Sequence, residues 1–448
     1  MTPPPPERTR GDVPYVVPSW VDPVVERATA VVGGPAGRYA VVGARGLVGV
    51  AVSLVLMGTA VLALGVWQKG HCLMKGWSTP DQFWRACYSD LPVVHVSSPL
   101  AQGELPWVGD VPSNQPPLSG TAMWLAAHIS PEGGQGLAAQ QWVFSLWALA
   151  AVLLLAAAVT ATVGLQPGRP WQAAHLAVSP VLVTLALVST DLLGIALTML
   201  GLFAWRRDRG WVAGVLLGLA TLVRPFPLVF VAAIVLVAWR RRDLLPAGRV
   251  VVGAVLGALG VVLPLLLVEP QALAGAQQWW SQGAGFGALQ MVPALHGLSV
   301  PPELTVTVAV AGWVGGLGLA AWVVSRPWRR VLAVHQVAAL IMLVVVLTAP
   351  SLSVQSGLWL LPFLALSSRP WWEHLVWAFL ETLHFVMTWL HIAYSSDPGR
   401  GLPASTYSLV VVLRVAAWAW VLWRVAHERP PRRSAVPARA PVLSAPGG

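Results

Sequence analysis

Apolar runs near or beyond the roughly 20 residues needed to cross a bilayer recur from Gly46 to Trp423, separated by short basic or Gly/Pro-bearing segments. This pattern predicts an all-α integral membrane protein with one continuous membrane domain. The composition agrees: 56% of residues are hydrophobic and 10% charged, against roughly 25% charged in an ordinary soluble domain. Mean hydropathy is +0.67. A formal charge of +10 would suggest a nucleic-acid partner in a soluble protein. Here the arginines fall in regularly placed clusters between apolar runs, so the charge reports topology and no nucleic acid is expected.

The clusters allow crossings to be counted. With Arg27, Arg38 and Arg45 taken as cytoplasmic, the later clusters are Arg169, Arg206/Arg207/Arg209, Arg240/Arg241/Arg242, Arg326/Arg329/Arg330, Arg369 and Arg424/Arg429/Arg432/Arg433. Each gap then holds an even number of spans. The gap from Gly210 to Trp239 is too short for two full spans, but its middle reads LVRPFP, and Pro225 and Pro227 break a helix. Two short helices meeting near the outer face are expected there. The total is about twelve transmembrane helices with both termini inside.

The chain divides into an N-terminal tail, residues 1–43, a membrane domain, 44–425, and a C-terminal tail, 426–448. Both tails are Pro-rich, basic and without apolar periodicity, so they are expected to be disordered and cytoplasmic. The first apolar run is too long for a signal peptide and lacks a small-residue cleavage pattern after it. No internal repeat of the kind common among secondary transporters is visible.

Three segments face outside with more than a tight turn: residues 68–135, residues 269–303, and the SSDPGRGLPAS stretch near Asp397. The first carries Asp81, Asp90, Glu104 and Asp110 with Trp77, Phe83, Trp84 and Trp107, the mix expected of interfacial helices. The second contains AQQWWSQGAGFGALQ, whose amides, aromatics and glycines suit either a sugar surface or an interfacial belt. The only two cysteines, Cys72 and Cys87, lie in the first loop. Outside the cytoplasm a disulfide can persist, and closing a loop of this size stabilises by about 3 kcal/mol in the chain-entropy model. Two unpaired small residues are the alternative. A bridge ending at Cys87 would fix the backbone just before Asp90.

The stretches CYSDLP, NQPPLSG, SPVLVTLALVSTDLLGIAL, GVLLGLATLVRPFPLVF, SGLWLLPFLAL and FLETLHFVMTW, in that order, resemble actinobacterial membrane glycosyltransferases of family 87. The resemblance covers about Leu47 to Val425. It implies a GT-C-type polytopic helical fold and a polyprenyl-phosphate sugar donor, typically carrying mannose. The family usually has an acidic residue and a tyrosine before the proline where this chain has Asn114 and Gln115.

In GT-C enzymes an acidic residue of the first outer loop is the general base, and the resemblance places that role on Asp90. A carboxylate with a pKa near 4 is ionised at working pH and can take the proton of an attacking hydroxyl. Helix capping is the alternative for Asp90, and the favoured one for Asp81, which follows Thr79 and Pro80. Arg224 sits in the break between two membrane helices, where a buried guanidinium asks for a partner. A lipid phosphate fits, because charge grows on the leaving group in the transition state. Asp191, at the tip of the STDLL hairpin, is read as a cap, as an ion-pair partner of Arg224, or as a substrate contact.

Glu381, His384 and His391 share one apolar span, and Arg414 lies in the next. A buried Glu381–Arg414 pair that fixes helix packing competes with a donor site to which His384 would contribute. Gln355, in PSLSVQSG, is a further sugar-binding candidate. No Walker-type loop, HExxH or Cys/His cluster occurs, so neither an ATPase nor a metal centre is read from the sequence, and no cofactor beyond the donor lipid is assigned. Glycines in GVLLGLA are expected to pack helices closely.

The expected protein is therefore a multi-pass glycosyltransferase of a bacterial plasma membrane. It would move a hexose from polyprenyl-phosphate-mannose, or a related lipid-linked sugar, to an envelope glycolipid, polysaccharide or protein by inversion. A lipid-linked-sugar transporter or flippase, in which Arg224 lines a pathway, and a catalytically silent envelope scaffold are the alternatives.

Overall fold

The computed structural model describes residues 44–109, 113–274, 283–327 and 330–428. The expected tail at 1–43, most of the expected C-terminal tail, Asp110, Arg329 and residues 275–282 of the second outer loop lie outside the described residues. Among the described residues every regular element is helical. Six helices are long and apolar enough to cross a membrane: α1 (Ala44–Gln68, counted from Gly46), Leu137–Leu165, Leu245–Val268, Pro302–Ser325, Trp371–Ala393 and Ala404–Ala426. Shorter apolar helices include Gly210–Thr221 and Val334–Thr348. They pack as one helical bundle.

The segment 68–135, expected from the sequence to face outside, is itself helical in its first part. α2 (Gly70–Lys75), α3 (Asp81–Trp84) and α4 (Asp90–Ser97) follow α1 in quick succession, and Cys72 and Cys87 are joined in a disulfide. Trp77 Nε1 donates to the Cys87 carbonyl at 3.0 Å, and Gln141 Nε2 donates to the Leu73 carbonyl at 2.9 Å. The first bond closes the loop on itself, and the second docks it on the Leu137–Leu165 helix. α5 (Pro117–Ile129) then returns before α6 (Leu137–Leu165).

α7 (Asp191–Arg206) carries Asp191 at one end and Arg206 at the other, separated by about 22 Å at 1.5 Å per residue. The arginine clusters meet at the Arg206 end. Arg206 donates to the Leu165 carbonyl, Arg169 to Ser368 Oγ and Arg330 to the Glu428 carbonyl. Glu373, fully buried, takes Arg424 at 2.6 Å and Arg369 at 3.6 Å. The basic clusters thus share one end of the bundle, away from Asp191.

α8 (Gly210–Thr221) and α9 (Leu228–Arg241) fill the gap that the arginines flank, and the LVRPFP stretch between them is not continuous helix. Pro225 and Pro227 cannot donate to a helical ladder, so the chain turns there. α8 packs against α10 (Leu245–Val268) through glycines on both sides. Gly214 and Gly218 face the carbonyls of Val250 and Ala254, while Gly253 and Gly257 face those of Trp211 and Val215. This is the close approach that small residues permit in a membrane.

The last helix ends at Ala426, and Glu428 just beyond it is bonded to the bundle. The Glu428 side chain accepts from the Ser368 backbone N–H at 2.8 Å, and Gln336 Nε2 donates to the Glu428 carbonyl at 2.9 Å. The bundle captures the end of the last helix because these groups satisfy backbone polar atoms of neighbouring segments.

A side chain at Gly218 would overlap the Ala254 carbonyl, which is backbone and cannot move aside. Gly218→Val is expected to destabilise by about 2–3 kcal/mol, read as a lower melting temperature in detergent. Gly248→Ala in α10, with no atom near its added Cβ, is the matched control and is expected to be neutral or slightly stabilising.

Candidate active site

Four stretches far apart in sequence converge on the residues Leu187–Asp191. This segment follows a short helix, Val181–Leu185, and precedes α7, so its carbonyls are free of a helical ladder. Ser89 Oγ donates to the Leu187 carbonyl at 2.7 Å, and the Asp90 backbone N–H donates to the Val188 carbonyl at 2.7 Å. Thr190 Oγ1 donates to Ser119 Oγ at 2.8 Å. The Leu118 N–H in turn donates to the Leu222 carbonyl at 3.1 Å, tying NQPPLSG to the break between α8 and α9. Asp191 then receives Arg224 from that break and Trp359 from the SGLWLL stretch.

Around this junction lies a cavity of about 500 Å³, within the range of small-molecule sites. Asp90, Tyr88, Asn114, Gln115, Arg224 and Gln355 contribute its polar wall. Phe83, Trp313, Trp359 and Trp389 contribute aromatic faces, and Ala309, Met342 and Val345 an apolar side. Phe83 and Trp389 stack with ring centres 5.8 Å apart, and Tyr88 lies 4.5 Å from Trp389. The second outer loop reaches the cavity through Gly283 and Phe286. It is held there by backbone bonds between Gly285 and Pro350 and between Leu352 and Phe286.

Asp90 opens α4 but does not cap it, since Ser89 occupies the N-cap and no side-chain cap bond forms. Its carboxylate accepts from Gln355 Nε2 at 3.3 Å and from the Tyr88 hydroxyl. Burial pushes its pKa up to about 6, opposed chiefly by the Tyr88 hydrogen bond and the Arg224 charge. Tyr88 is driven well above its ordinary value by burial and by the same carboxylate. Lys69, between α1 and α2, has no exposed surface. Its Nζ lies 4.6 Å from the Phe385 ring centre and has no hydrogen-bond partner among the described residues.

Arg224 and Asp191 form an ion pair with Nε 3.0 Å from Oδ2. Asp191 is fully buried, and Trp359 Nε1 and Ser189 Oγ donate to its two oxygens at 2.6 and 2.5 Å. The carboxylate is therefore an ion-pair partner, with no side-chain cap bond at the start of α7. The Arg224 guanidinium makes no other hydrogen bond among the described residues, and the residue lines the cavity.

Glu381, His384 and Arg414 do not line the cavity; they lie behind its wall. Arg414 Nε sits 3.0 Å from Glu381 Oε1, and Trp418 Nε1 donates to the same oxygen. The remaining Arg414 nitrogens donate to the Leu352 and Ser353 carbonyls and to Ser356 Oγ. The pair thereby fixes the loop that presents Gln355. His384 contacts Thr388 Oγ1 at 3.3 Å and stacks near Tyr407. The seven candidates thus separate into three on the cavity, Asp90, Arg224 and Gln355, and four that lie off it: Asp191, the Glu381–Arg414 pair and His384.

Sequence reasoning did not single out Tyr88, Trp359 or Lys69. Tyr88 stands in the quoted CYSD stretch, and a lysine ending a span is an ordinary snorkelling residue until its burial is seen. Among the described residues no group of three or more His, Cys, Asp or Glu side chains is arranged to hold a metal ion.

Residues 116–350, just over half of the chain, match the family model of glycosyltransferase family 87. No curated protein and no solved structure matches the chain. The matched segment spans α5, the Asp191–Arg224 pair, the α8–α9 break and the apolar side of the cavity. With its apolar helices and this match, the chain belongs to glycosyltransferase family 87 and is a membrane glycosyltransferase.

Proposed function

We propose that the cavity transfers a hexose, mannose in the first instance, from a polyprenyl monophosphate to a hydroxyl of an envelope glycolipid, polysaccharide or protein. The observation that carries this reading is that a carboxylate and a free-facing guanidinium, Asp90 and Arg224, share one cavity wall with an amide, Gln355, between loop and base. In a single inverting displacement, Asp90 takes the acceptor's hydroxyl proton as its oxygen bonds to the anomeric carbon. The bond from that carbon to the phosphate oxygen breaks, and the electron pair leaves with the polyprenyl phosphate. Arg224, steadied through Nε by Asp191, offers its outward N–H groups to that growing charge. The aromatic faces suit a sugar ring, and Ala309, Met342 and Val345 suit the first isoprene units of the donor.

The same reading places about twelve spans in a bacterial plasma membrane, with both termini on the cytoplasmic side and the cavity toward the outer face. The arginine clusters at the opposite end of α7 from Asp191 support that orientation.

The test is transfer from radiolabelled polyprenyl-phosphate-mannose to a crude envelope-lipid fraction by purified protein in liposomes. Asp90→Asn is expected to lower turnover by about 10²–10⁴-fold with donor binding retained. Donor binding without transfer by the wild type, coupled to donor translocation across the liposome, would instead make the protein a flippase.

The pH dependence follows from the sign of the Asp90 shift. The base works ionised, and its pKa is raised to about 6. Transfer should therefore be flat above pH 7 and fall on acidification through pH 6, whereas an unperturbed carboxylate would hold the rate down to pH 4–5.

The Glu381–Arg414 pair predicts a different phenotype. Its partners are 0% and 1% exposed, so Arg414→Met alone leaves a buried carboxylate unpaired and is expected to destabilise by about 3–5 kcal/mol. Adding Glu381→Gln should recover much of the melting temperature, a pattern that a residue acting only on substrate would not give.

A further inference from the structure

Gln115 sits in the cavity wall with one half of its amide unused. The residue is 5% exposed and lines the cavity. Its backbone is fixed: Trp107 Nε1 donates to its carbonyl at 2.9 Å, its own N–H donates to Ser113 Oγ at 3.4 Å, and Pro116 and Pro117 follow it. Trp107 has no exposed surface and lies against Gly120, where any side chain would overlap its ring. The Gln115 Nε2 donates to Asn114 Oδ1 at 3.2 Å, but Oε1 has no hydrogen-bond partner among the described residues. A buried carbonyl oxygen without a donor is costly, and native folds keep few of them. Of the buried polar side-chain atoms left unpartnered among the described residues, two belong to residues that line the cavity: Trp389 Nε1, a donor, and Gln115 Oε1, an acceptor.

The same segment carries Gln115 to the cation. The Leu118 N–H donates to the Leu222 carbonyl at 3.1 Å, and Ser119 Oγ donates to the Val223 carbonyl at 3.4 Å. The residues that follow Gln115 are thereby laced to those that immediately precede Arg224, and Pro116 and Pro225 join Gln115 and Arg224 in the cavity lining. On the proposed reading, the donor phosphate engages Arg224, and the hexose is bonded directly to that phosphate. The three parts of such a donor differ in what they offer a carbonyl oxygen. An isoprene chain has no polar hydrogen, and ionised phosphate oxygens only accept. The hexose hydroxyls donate.

We infer that Gln115 is a specificity-determining residue for the donor: its Oε1 accepts a hydrogen bond from one hydroxyl of the hexose held next to the Arg224-bound phosphate. The inference rests on the reading of the cavity as a lipid-linked-sugar site. Two properties follow. A hexose lacking that hydroxyl leaves the carbonyl as unpaired as it is in the empty site, and a site built around a hydroxyl rejects the analogue without it. In the free protein the amide is a liability kept for function, so an apolar side chain of similar length in its place does not lower stability.

The experiment measures equilibrium binding of polyprenyl-phosphate-mannose and of its 2-, 3-, 4- and 6-deoxy analogues to full-length protein in liposomes, with transfer rate read separately. Wild type should bind one deoxy analogue about 10-fold more weakly than the parent donor. In Gln115→Met the parent should weaken by about that factor while the same analogue binds as it does to wild type, so the preference disappears, and the ligand-free melting temperature should be unchanged or higher. Gln115→Glu keeps an acceptor oxygen and should retain the preference for the hydroxylated donor, although its charge weakens binding of every phosphate. A preference that persists in Gln115→Met overturns the inference, as does a wild type that binds all the analogues like the parent. A methionine variant that melts lower and loses all donors equally would mark Gln115 as structural and overturn it too. Selective binding by a protein that transfers nothing keeps the Gln115 contact and counts against the transfer step alone, whereas transfer with no hydroxyl preference traced to Gln115 leaves the glycosyltransfer reading standing and removes this inference. A wild type that binds no donor overturns both.

Discussion

The carbonyls of Leu187 and Val188 and the carboxylate of Asp191 are the acceptors on which the cavity is built. A segment between two helices has no ladder of its own, and in a membrane interior its polar atoms need partners from elsewhere. Those partners are Ser89 and Asp90 of the first outer loop, and Arg224 and Trp359 of later breaks. Backbone satisfaction thus brings Asp90, Arg224 and the loop that presents Gln355 to one place. The cavity and the fold share the same bonds, so Ser89 is as much a part of the arrangement as the residue after it.

Two buried carboxylates meet the same chemical demand in the same way. Asp191 takes an arginine Nε and a tryptophan Nε1, and so does Glu381. Several donors around one anion offset the desolvation that a lone pair would suffer in a low dielectric. What distinguishes the two sites is where the rest of the guanidinium points. Arg414 spends its other nitrogens on the 352–356 loop, whereas Arg224 lies on the cavity wall. Only the second arrangement leaves a guanidinium on the cavity wall.

This difference also marks how far the sequence could be read. The helical class, the paired short helices around LVRPFP and the one-sided arginines follow from composition, proline and charge, which act locally or along the chain. Asp90, Arg224 and Gln355 were legible as candidates because each is a polar residue at a turn expected to face outside, yet nothing in the sequence brings Gln355 to Asp90 across a separation of 265 positions. Burial was the invisible variable. Glu381, Arg414 and Asp191 read equally well as ligands or as struts until their exposure was known. Lys69 could not be singled out because the direction of one side chain at a helix end depends on what packs beside it.

The amides at Asn114 and Gln115 gain their meaning from the same electrostatics. Trp107 Nε1 donates to the Gln115 carbonyl at 2.9 Å, holding both residues in the wall that carries Asp90. A carboxylate at either position would add negative charge beside Asp90, raise its proton affinity further, and oppose an anionic donor. Neutral amides keep hydrogen-bonding capacity in the wall without that penalty. Among the described lining residues Asp90 is then the sole carboxylate and Arg224 the sole cation. The ionisation of Asp90 is then set first by its burial, against the Tyr88 hydrogen bond and the Arg224 charge.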